Sequence, residues 1–266
     1  MTTAEPAQTA GVLPDHVAEN RRYWDEMAHQ WVAMGERAWA RSEPTWGIWG
    51  VSEAELGLLP VDMTGLDAIE LGCGTAYVSA WMARRGAIVT AIDNSQNQLA
   101  AARRLADEHG VELTLWHGDA ERVPASDESF DFAISEYGAA IWCEPEVWLR
   151  EAHRLLRPSG RLVFLGNHPM LLACAPESGA NIGSELVRPY FGMHTLDWRT
   201  AQIDPGGVNF CLSVSGWVAL FHEVGFAVDD VLEPRAPDDA TGVVDLVDAE
   251  WAQRWPSELV WKVHKT

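Results

Sequence analysis

Residues 67–75, Asp-Ala-Ile-Glu-Leu-Gly-Cys-Gly-Thr, constrain the fold of this chain more than any other stretch. The apolar residues before Gly72 predict a short buried strand, and an apolar stripe with helical spacing begins at Val78. Between them, Gly72 and Gly74 lack the Cβ atoms that would keep a ligand away from the backbone. A strand, a glycine turn and a helix in this order are typical of the nucleotide-binding corner of a doubly wound α/β sheet.

Two carboxylates near this turn predict a ligand that contains adenosine. Glu70 precedes the glycines, and Asp93 ends the next predicted strand, 87–93. About 20 residues separate the turn from Asp93, which is the spacing at which a carboxylate meets the hydroxyls of a ribose. The third glycine of the dinucleotide fingerprint would fall at Tyr77, so the pattern disfavours a pyrophosphate ligand.

The same turn is the first of five segments that together resemble a known family. They occur in order at residues 70–75, 93–95, 118–121, 130–136 and 155–162. In this order they resemble the motifs of the class I S-adenosylmethionine-dependent methyltransferases, in the branch that includes quinone-biosynthesis enzymes and many small-molecule methyltransferases. The resemblance extends over about residues 60–165.

The resemblance implies an α/β fold with a Rossmann-like, doubly wound sheet of seven strands. Their order would be 3-2-1-4-5-7-6, with the last strand antiparallel, and the sheet would carry an N-terminal helical lid and an inserted cap. The predicted parts are a flexible tail at 1–16, the lid at 17–59, the cofactor-binding domain at 60–166 and 213–266, and the substrate cap at 167–212. The tryptophans of the predicted lid either pack its helices on the core or line a pocket.

The resemblance also implies S-adenosylmethionine as the cofactor. Its ribose would lie on Asp93 and its adenine amine near Asp119, where an acceptor side chain suits a group that only donates. An aspartate after a strand is also a common turn residue, so that contact has a structural alternative. The predicted cofactor-binding residues are Glu70, Gly72, Cys73, Gly74, Asp93, Asn94, Gln98, Gly118, Asp119, Ala120 and Ser135.

Methyl transfer requires a nucleophile in line with the sulfonium methyl and, for an alcohol or acid, removal of a proton. Glu136 and Tyr137 follow the fourth predicted strand, beside the expected methyl position. His168 follows the fifth strand and His194 lies in the predicted cap, so both are candidate bases, although either histidine can be purely structural. Positioning is therefore expected to contribute more than acid and base chemistry.

Composition narrows the classes of partner. A formal net charge of −20 disfavours nucleic acid and anionic lipid, which both require clustered Lys and Arg. No apolar run approaches the ~20 residues of a membrane span. The four cysteines form no C-x-x-C pair and the nine histidines show no zinc spacing, so the sequence predicts no metal and a reducing cytoplasm.

These observations predict a cytoplasmic S-adenosylmethionine-dependent methyltransferase that acts on a small, apolar or aromatic molecule. One alternative is a Rossmann-type NAD oxidoreductase, which Tyr77 at the third-glycine position disfavours. Another is a non-catalytic module that binds the cofactor. The sequence leaves open the identity of the substrate, the accepting atom and the oligomeric state.

Overall fold

The computed structural model describes residues 12–203 and 205–266, so most of the predicted tail lies outside it. The described chain begins with a long helix, α1 (Asp15–Trp39), which starts inside the predicted tail. Two short strands, β1 (Thr45–Trp46) and β2 (Val51–Ser52), pair antiparallel around a loop at 47–50. A single helical turn, α2 (Glu53–Leu56), follows them.

The next elements alternate as the glycine turn predicts. They are β3 (Asp67–Leu71), α3 (Tyr77–Arg84), β4 (Ile88–Asp93), α4 (Gln96–His109), β5 (Thr114–His117) and β6 (Phe130–Glu136). Ser95 is the N-cap of α4, and its Oγ accepts the Gln98 N–H at 3.1 Å, as the spacing of Ser95 and Gln98 in the sequence predicts.

The second half contains the predicted cap and the remaining strands of the large sheet. Its elements are α5 (Ala139–Trp142), α6 (Pro145–Leu155), β7 (Leu156–Asn167), α7 (Pro169–Cys174), β8 (Thr195–Asp197), β9 (Val208–Phe210), α8 (Val214–Val224), β10 (Phe226–Leu232), β11 (Val243–Val244), β12 (Val247–Asp248), α9 (Ala249–Ala252) and β13 (Glu258–Lys265). Strands β8 and β9 pair with each other and not with the large sheet.

The large sheet has seven strands in the order β10-β13-β7-β6-β3-β4-β5. Read from the other edge, this is the predicted order 3-2-1-4-5-7-6, and β13 runs antiparallel to both of its neighbours. The central strands are buried on both faces, as expected of a parallel sheet covered by helices. The predicted fold class is confirmed.

One local feature differs from the sequence pattern. Residues 157–160, Arg-Pro-Ser-Gly, have the composition of a turn, but they are part of β7, whose pairing with β6 shifts register between Phe130 and Phe132. Ser159 has a φ of 63° there, so the chain bulges without leaving the sheet.

In the part of the chain that the structure covers, no helix has both the length and the apolar character that crossing a bilayer requires.

Candidate cofactor and acceptor site

Hydrogen bonds from the glycine turn between β3 and α3 to the end of β4 hold the turn in place. The N–H groups of Gly72 and Cys73 both donate to the carbonyl of Ile92, at 2.9 and 3.0 Å. The Gly74 N–H donates to Asp93 Oδ2 at 2.7 Å, and the Ser95 N–H donates to Asp93 Oδ1 at 2.8 Å. Asp93 therefore orders the turn, while each of its oxygens keeps a lone pair for a further donor.

The two glycines of the turn have different surroundings. A Cβ on Gly72 would lie 2.6 Å from Gly138 Cα and 2.7 Å from Ala139 N, so this glycine permits two backbone segments to touch. A Cβ on Gly74 would meet only Gln98 Oε1, at 4.0 Å. The open side of the turn is therefore at Gly74, and the prediction that both glycines make room for a ligand is refined to Gly74.

Ala76 occupies the position at which the resembled family often has a third glycine. Its φ is 60° and its ψ is 32°, in the left-handed region that costs an alanine ~1 kcal/mol or more. It caps α3 and is fully buried. Alanine therefore adopts a strained backbone conformation at a position where glycine would not be strained.

Two buried polar atoms, one beside the open side of the turn and one on α1, have no hydrogen-bond partner among the described residues. They are Gln98 Oε1 and one terminal nitrogen of Arg21, on α1. A buried polar atom without a partner costs about 1–3 kcal/mol, so a ligand with a donor and an acceptor would relieve both atoms. Together with Asp93 and open Gly74, they fit the adenosine and amino-acid parts of S-adenosylmethionine.

The predicted adenine contacts lie beside this region. The Gly118 N–H donates to the Asp93 carbonyl at 2.9 Å, which holds the end of β5 against the end of β4. Asp119 is buried, and its Oδ1 accepts the Glu121 N–H at 2.9 Å, so it does form a turn. Burial raises the pKa of Asp119 above its usual value. Its second oxygen remains for a donor, and Ala120 is buried beside it.

Helix α1 covers the same edge of the sheet. Arg21 Nε donates to Asn94 Oδ1 at 2.7 Å, and Asn94 Nδ2 donates to the Val17 carbonyl at 2.9 Å. Trp39 Nε1 donates to the Thr75 carbonyl at 2.7 Å, next to the glycine turn. The Trp24 and Trp142 rings meet at 5.1 Å between centroids, edge to face. Asn94, a predicted cofactor residue, is thus held by α1.

Other predicted cofactor residues support the turn from behind. Glu70 is fully buried and accepts the Ser79 N–H at 2.8 Å and the Ser79 hydroxyl. Burial, the largest cause, raises the pKa of Glu70 to about 8. Ser135 Oγ donates to the Leu71 carbonyl at 2.7 Å and accepts the Ala140 N–H at 3.1 Å. Cys73 is buried, and burial raises the pKa of its thiol.

Two buried carboxylates lie under the loop at 47–50. Glu136 Oε1 accepts the Gly47 N–H at 2.9 Å, and its Oε2 accepts the Tyr77 hydroxyl. Glu258 Oε1 accepts the Ile48 N–H at 2.9 Å and the Tyr137 hydroxyl at 2.6 Å. Two successive amides of the loop therefore each bind a carboxylate that a tyrosine also binds.

Both candidate histidines form hydrogen bonds within the described chain. His168 is buried; its Nδ1 accepts the Met170 N–H at 3.0 Å as the cap of α7, and its Nε2 contacts Glu233 at 3.0 Å. Burial lowers the pKa of His168. His194 Nε2 contacts Glu144 at 3.1 Å and its Nδ1 contacts the Thr195 hydroxyl at 2.9 Å.

His194, Glu144 and Glu146 offer ligand atoms that lie within 4.8 Å of one another. Glu146 is exposed, and the three side chains pair with each other, which accounts for their grouping. The prediction that the chain binds no metal stays a prediction.

The predicted cap contributes part of its apolar residues to the interior. Leu171, Leu172 and Met193 are buried, whereas Phe191 is 86% exposed. A small, mostly apolar cavity lies where β9 crosses the ends of α5 and β7. Its lining includes Ala140, Ile141, Phe164, Gly166, Phe210 and Cys211. A larger, open groove lies along α8 and β10, on the edge-strand side of the sheet.

Sequence reasoning missed three features of this site: Glu258, Arg21 and the amides of the loop at 47–50. Glu258 is an acid directly before the apolar residues 259–261 at the start of β13, where a buried carboxylate is rare without a partner. That signal was available in the sequence. Arg21 looks like any base on a surface helix, and a backbone amide carries no sequence signal.

Comparisons with known proteins agree with this geometry. Residues 69–164 match a family described as "Methyltransferase domain". A ubiquinone biosynthesis O-methyltransferase from Maricaulis maris is 34% identical over 187 residues, which cover 70% of this chain and 72% of the relative. Another protein of that name, from Dinoroseobacter shibae, is 30% identical over 53% of this chain and 55% of its own length.

A solved structure extends the likeness to most of the chain. The S-adenosylmethionine-dependent methyltransferase from Mesorhizobium loti superposes with a TM-score of 0.65 and 25% sequence identity, covering 82% of this chain and all of that one. The chain spans about half the length of several curated relatives that it matches.

Proposed function

We propose that this chain, which belongs to the class I S-adenosylmethionine-dependent methyltransferases, transfers a methyl group from that cofactor to a small, apolar or aromatic acceptor. Relatives named ubiquinone biosynthesis O-methyltransferases support a small acceptor and an oxygen as the accepting atom. The predicted cap places the apolar side chains of Leu171 and Leu172 directly after the carboxyl end of β7, which supports an apolar acceptor.

The observation that carries the proposal is the glycine turn held by Asp93. Asp93 fixes the turn through the Gly74 N–H and keeps lone pairs for two hydroxyls. Gly74 leaves open space, and buried Gln98 Oε1 lies at its edge without a partner in the described chain. These features suit a nucleoside joined to an amino acid, and the first residue of α3, Tyr77, disfavours the pyrophosphate of NAD.

The bound cofactor supplies an electrophilic methyl, and the residues of this chain supply position and exclusion of water. Asp93 and Asp119 orient the adenosine part, while α1 covers it through Arg21 and the aromatic contact of Trp24 with Trp142. A fixed geometry with the acceptor ~3 Å from the methyl accelerates transfer without any obligatory acid or base.

Among the candidate catalytic residues, Glu136 and Tyr137 have the position that best suits the reacting groups. Glu136 is the last residue of β6, and Tyr137 follows it directly before Gly138, which touches the glycine turn. His194 remains a candidate base at the rim, whereas capping of α7 occupies the lone pair of His168 Nδ1. A small-molecule partner without nucleic acid, and a cytoplasmic location, stay predictions.

The test is transfer of label from methyl-tritiated S-adenosylmethionine to a panel of phenols and catechols, each paired with its methyl ether. We expect label on hydroxylated members and none on their ethers, and we expect Asp93→Ala to reduce the transfer. If no member of the panel receives label and the protein instead transfers hydride from NADH, the proposal is overturned in favour of an oxidoreductase.

A further inference from the structure

Glu136 and Glu258 form a buried pair of carboxylates at the end of the sheet where the glycine turn lies. Glu136 is 9% exposed and Glu258 is 0% exposed. Their donors are the backbone amides of Gly47 and Ile48 and the hydroxyls of Tyr77 and Tyr137, all of which are uncharged. The described chain thus supplies hydrogen bonds to this pair but no cation.

One oxygen of the pair has no hydrogen-bond partner in the part of the chain that the structure describes. Glu258 Oε2 is fully buried and lacks a hydrogen bond among the described residues. Burying an ionised carboxylate without a counter-charge is costly, which normally forces the group to become neutral or to find a cation. Burial accordingly raises the pKa of Glu258 to about 7, and the charge of Glu136 raises it further. Burial also raises the pKa of Glu136.

The position of the pair relates it to the cofactor turn. Glu136 is the last residue of β6, the strand that pairs with β3 directly before the turn. Its carboxylate binds Tyr77, the first residue of α3 directly after the turn. The pair therefore lies across the turn from Asp93, on the side opposite to the predicted adenosine contacts, where the methionine end of the cofactor would extend.

We propose that Glu136 and Glu258 form a negatively charged subsite for the positive charge at the reacting centre of the cofactor. The proposal rests on the function proposed above, and it assigns the pair a role in selectivity. The sulfonium of S-adenosylmethionine carries the positive charge that this pair lacks. Methyl transfer leaves the sulfur neutral, so S-adenosylhomocysteine loses the attraction and is released more readily.

The loop at 47–50 covers the carboxylate pair, because the amides of Gly47 and Ile48 donate to it. A Cβ on Gly47 would overlap the Glu258 carboxylate, so glycine permits the loop to close directly onto the pair. Closing the loop removes water from around the carboxylates, and an ionic attraction strengthens when water is excluded. The selectivity should therefore depend on a closed loop.

The experiment compares three ligands that differ only at the reacting centre. Calorimetry gives the affinities of S-adenosylmethionine, of neutral S-adenosylhomocysteine, and of sinefungin, which carries an amine in place of the sulfonium methyl. Measurements are made at about pH 8, above the pKa of about 7 of Glu258. The proteins are the wild type, Glu136→Gln, Glu258→Gln and, as a control, Asp93→Asn.

We expect the wild type to bind both cations at least about tenfold more tightly than S-adenosylhomocysteine, the scale of a charge-assisted interaction. Glu136→Gln and Glu258→Gln should each reduce that ratio severalfold. Asp93→Asn should weaken all three ligands alike, because all three share the ribose.

Equal affinities for cationic and neutral ligands in the wild type would overturn the inference and leave the proposed function standing. Ratios in both glutamine variants that match the wild type would overturn it as well. If none of the three ligands binds the wild type, the proposed function itself fails, and the inference fails with it.

Discussion

Gly72 and Gly138 touch through their backbones: a Cβ on Gly72 would lie 2.6 Å from the Cα of Gly138. This contact joins the end of β3 to the end of β6 and so sets the floor of the cofactor turn. Gly74, only two residues away, has open space on the corresponding side. The two glycines should therefore respond differently to the same substitution.

Gly72→Ala should destabilise the fold, because its Cβ meets backbone that cannot rotate away and its φ is 77°. The expected loss is about 3 kcal/mol of unfolding free energy. Gly74→Ala, with a φ of 52°, should lose only ~1 kcal/mol from its left-handed backbone. It should instead weaken binding of S-adenosylhomocysteine by about tenfold or more, ~1.4 kcal/mol. Urea unfolding and calorimetry on both variants measure this, and equal stability losses would contradict it.

Glu70 should make stability depend on pH. Its folded-state pKa is raised to about 8 by burial, whereas an unfolded glutamate titrates near ~4.3. The stabilisation is therefore fully present below about pH 4.3 and is lost as pH rises towards 8, at ~1.4 kcal/mol per pH unit for one group. Urea unfolding at several pH values should show a steeper decline for the wild type than for Glu70→Gln. Parallel curves would show that Glu70 does not titrate in this way.

Gly47→Ala should detach the loop at 47–50 from the buried carboxylates, because its Cβ would overlap Glu258 and its φ is 69°. Hydrogen exchange at the amides of Gly47 and Ile48 should accelerate, since both hydrogen bonds are lost. Gly50→Ala is the matched control: it has a φ of 63° but nothing within 4 Å of the added Cβ. Similar exchange in the two variants would mean that strain alone, and not the carboxylate contact, explains the effect.

His168→Ala should cost stability and spare catalysis. His168 caps α7 through Met170, and loss of such a cap costs ~1 kcal/mol. His168→Asn should restore most of that loss, because asparagine is a good capping residue. Thermal unfolding and the methyl-transfer assay together separate the two roles. A loss of about 10²-fold in turnover in both variants would instead identify His168 as a general base.

Much of the fold followed from the order of the sequence motifs. The strand before Gly72 and the strand that ends at Asp93 lie side by side in the sheet, as the sequence pattern predicts. These predictions succeeded because parallel strands, buried on both faces, have few alternatives in sequence pattern. The sequence Pro-Ser-Gly at 158–160 is typical of a turn, whereas in the structure it forms a bulge at Ser159, because the two conformations favour the same residue types.

The details of the site followed less well. Position 72 must be glycine because the backbone of Gly138 lies too close for a side chain. No local sequence pattern connects residues so far apart in the chain. Asn94 is held by α1, and the importance of Glu258 arises from the loop above it, since both depend on tertiary contacts. The cofactor contacts of Asp93, Gln98 and Asp119 remain predictions that the geometry supports.

The central claim is that Asp93 and the open side of Gly74 hold S-adenosylmethionine, and calorimetry on the wild type and Asp93→Ala tests it most directly. The wild type should bind S-adenosylhomocysteine and should not bind NAD. Folded Asp93→Ala should bind S-adenosylhomocysteine more weakly by ~1.5–3 kcal/mol, the scale of hydrogen bonds to a charged group. Unchanged affinity in folded Asp93→Ala, or preference of the wild type for NAD, would contradict the claim.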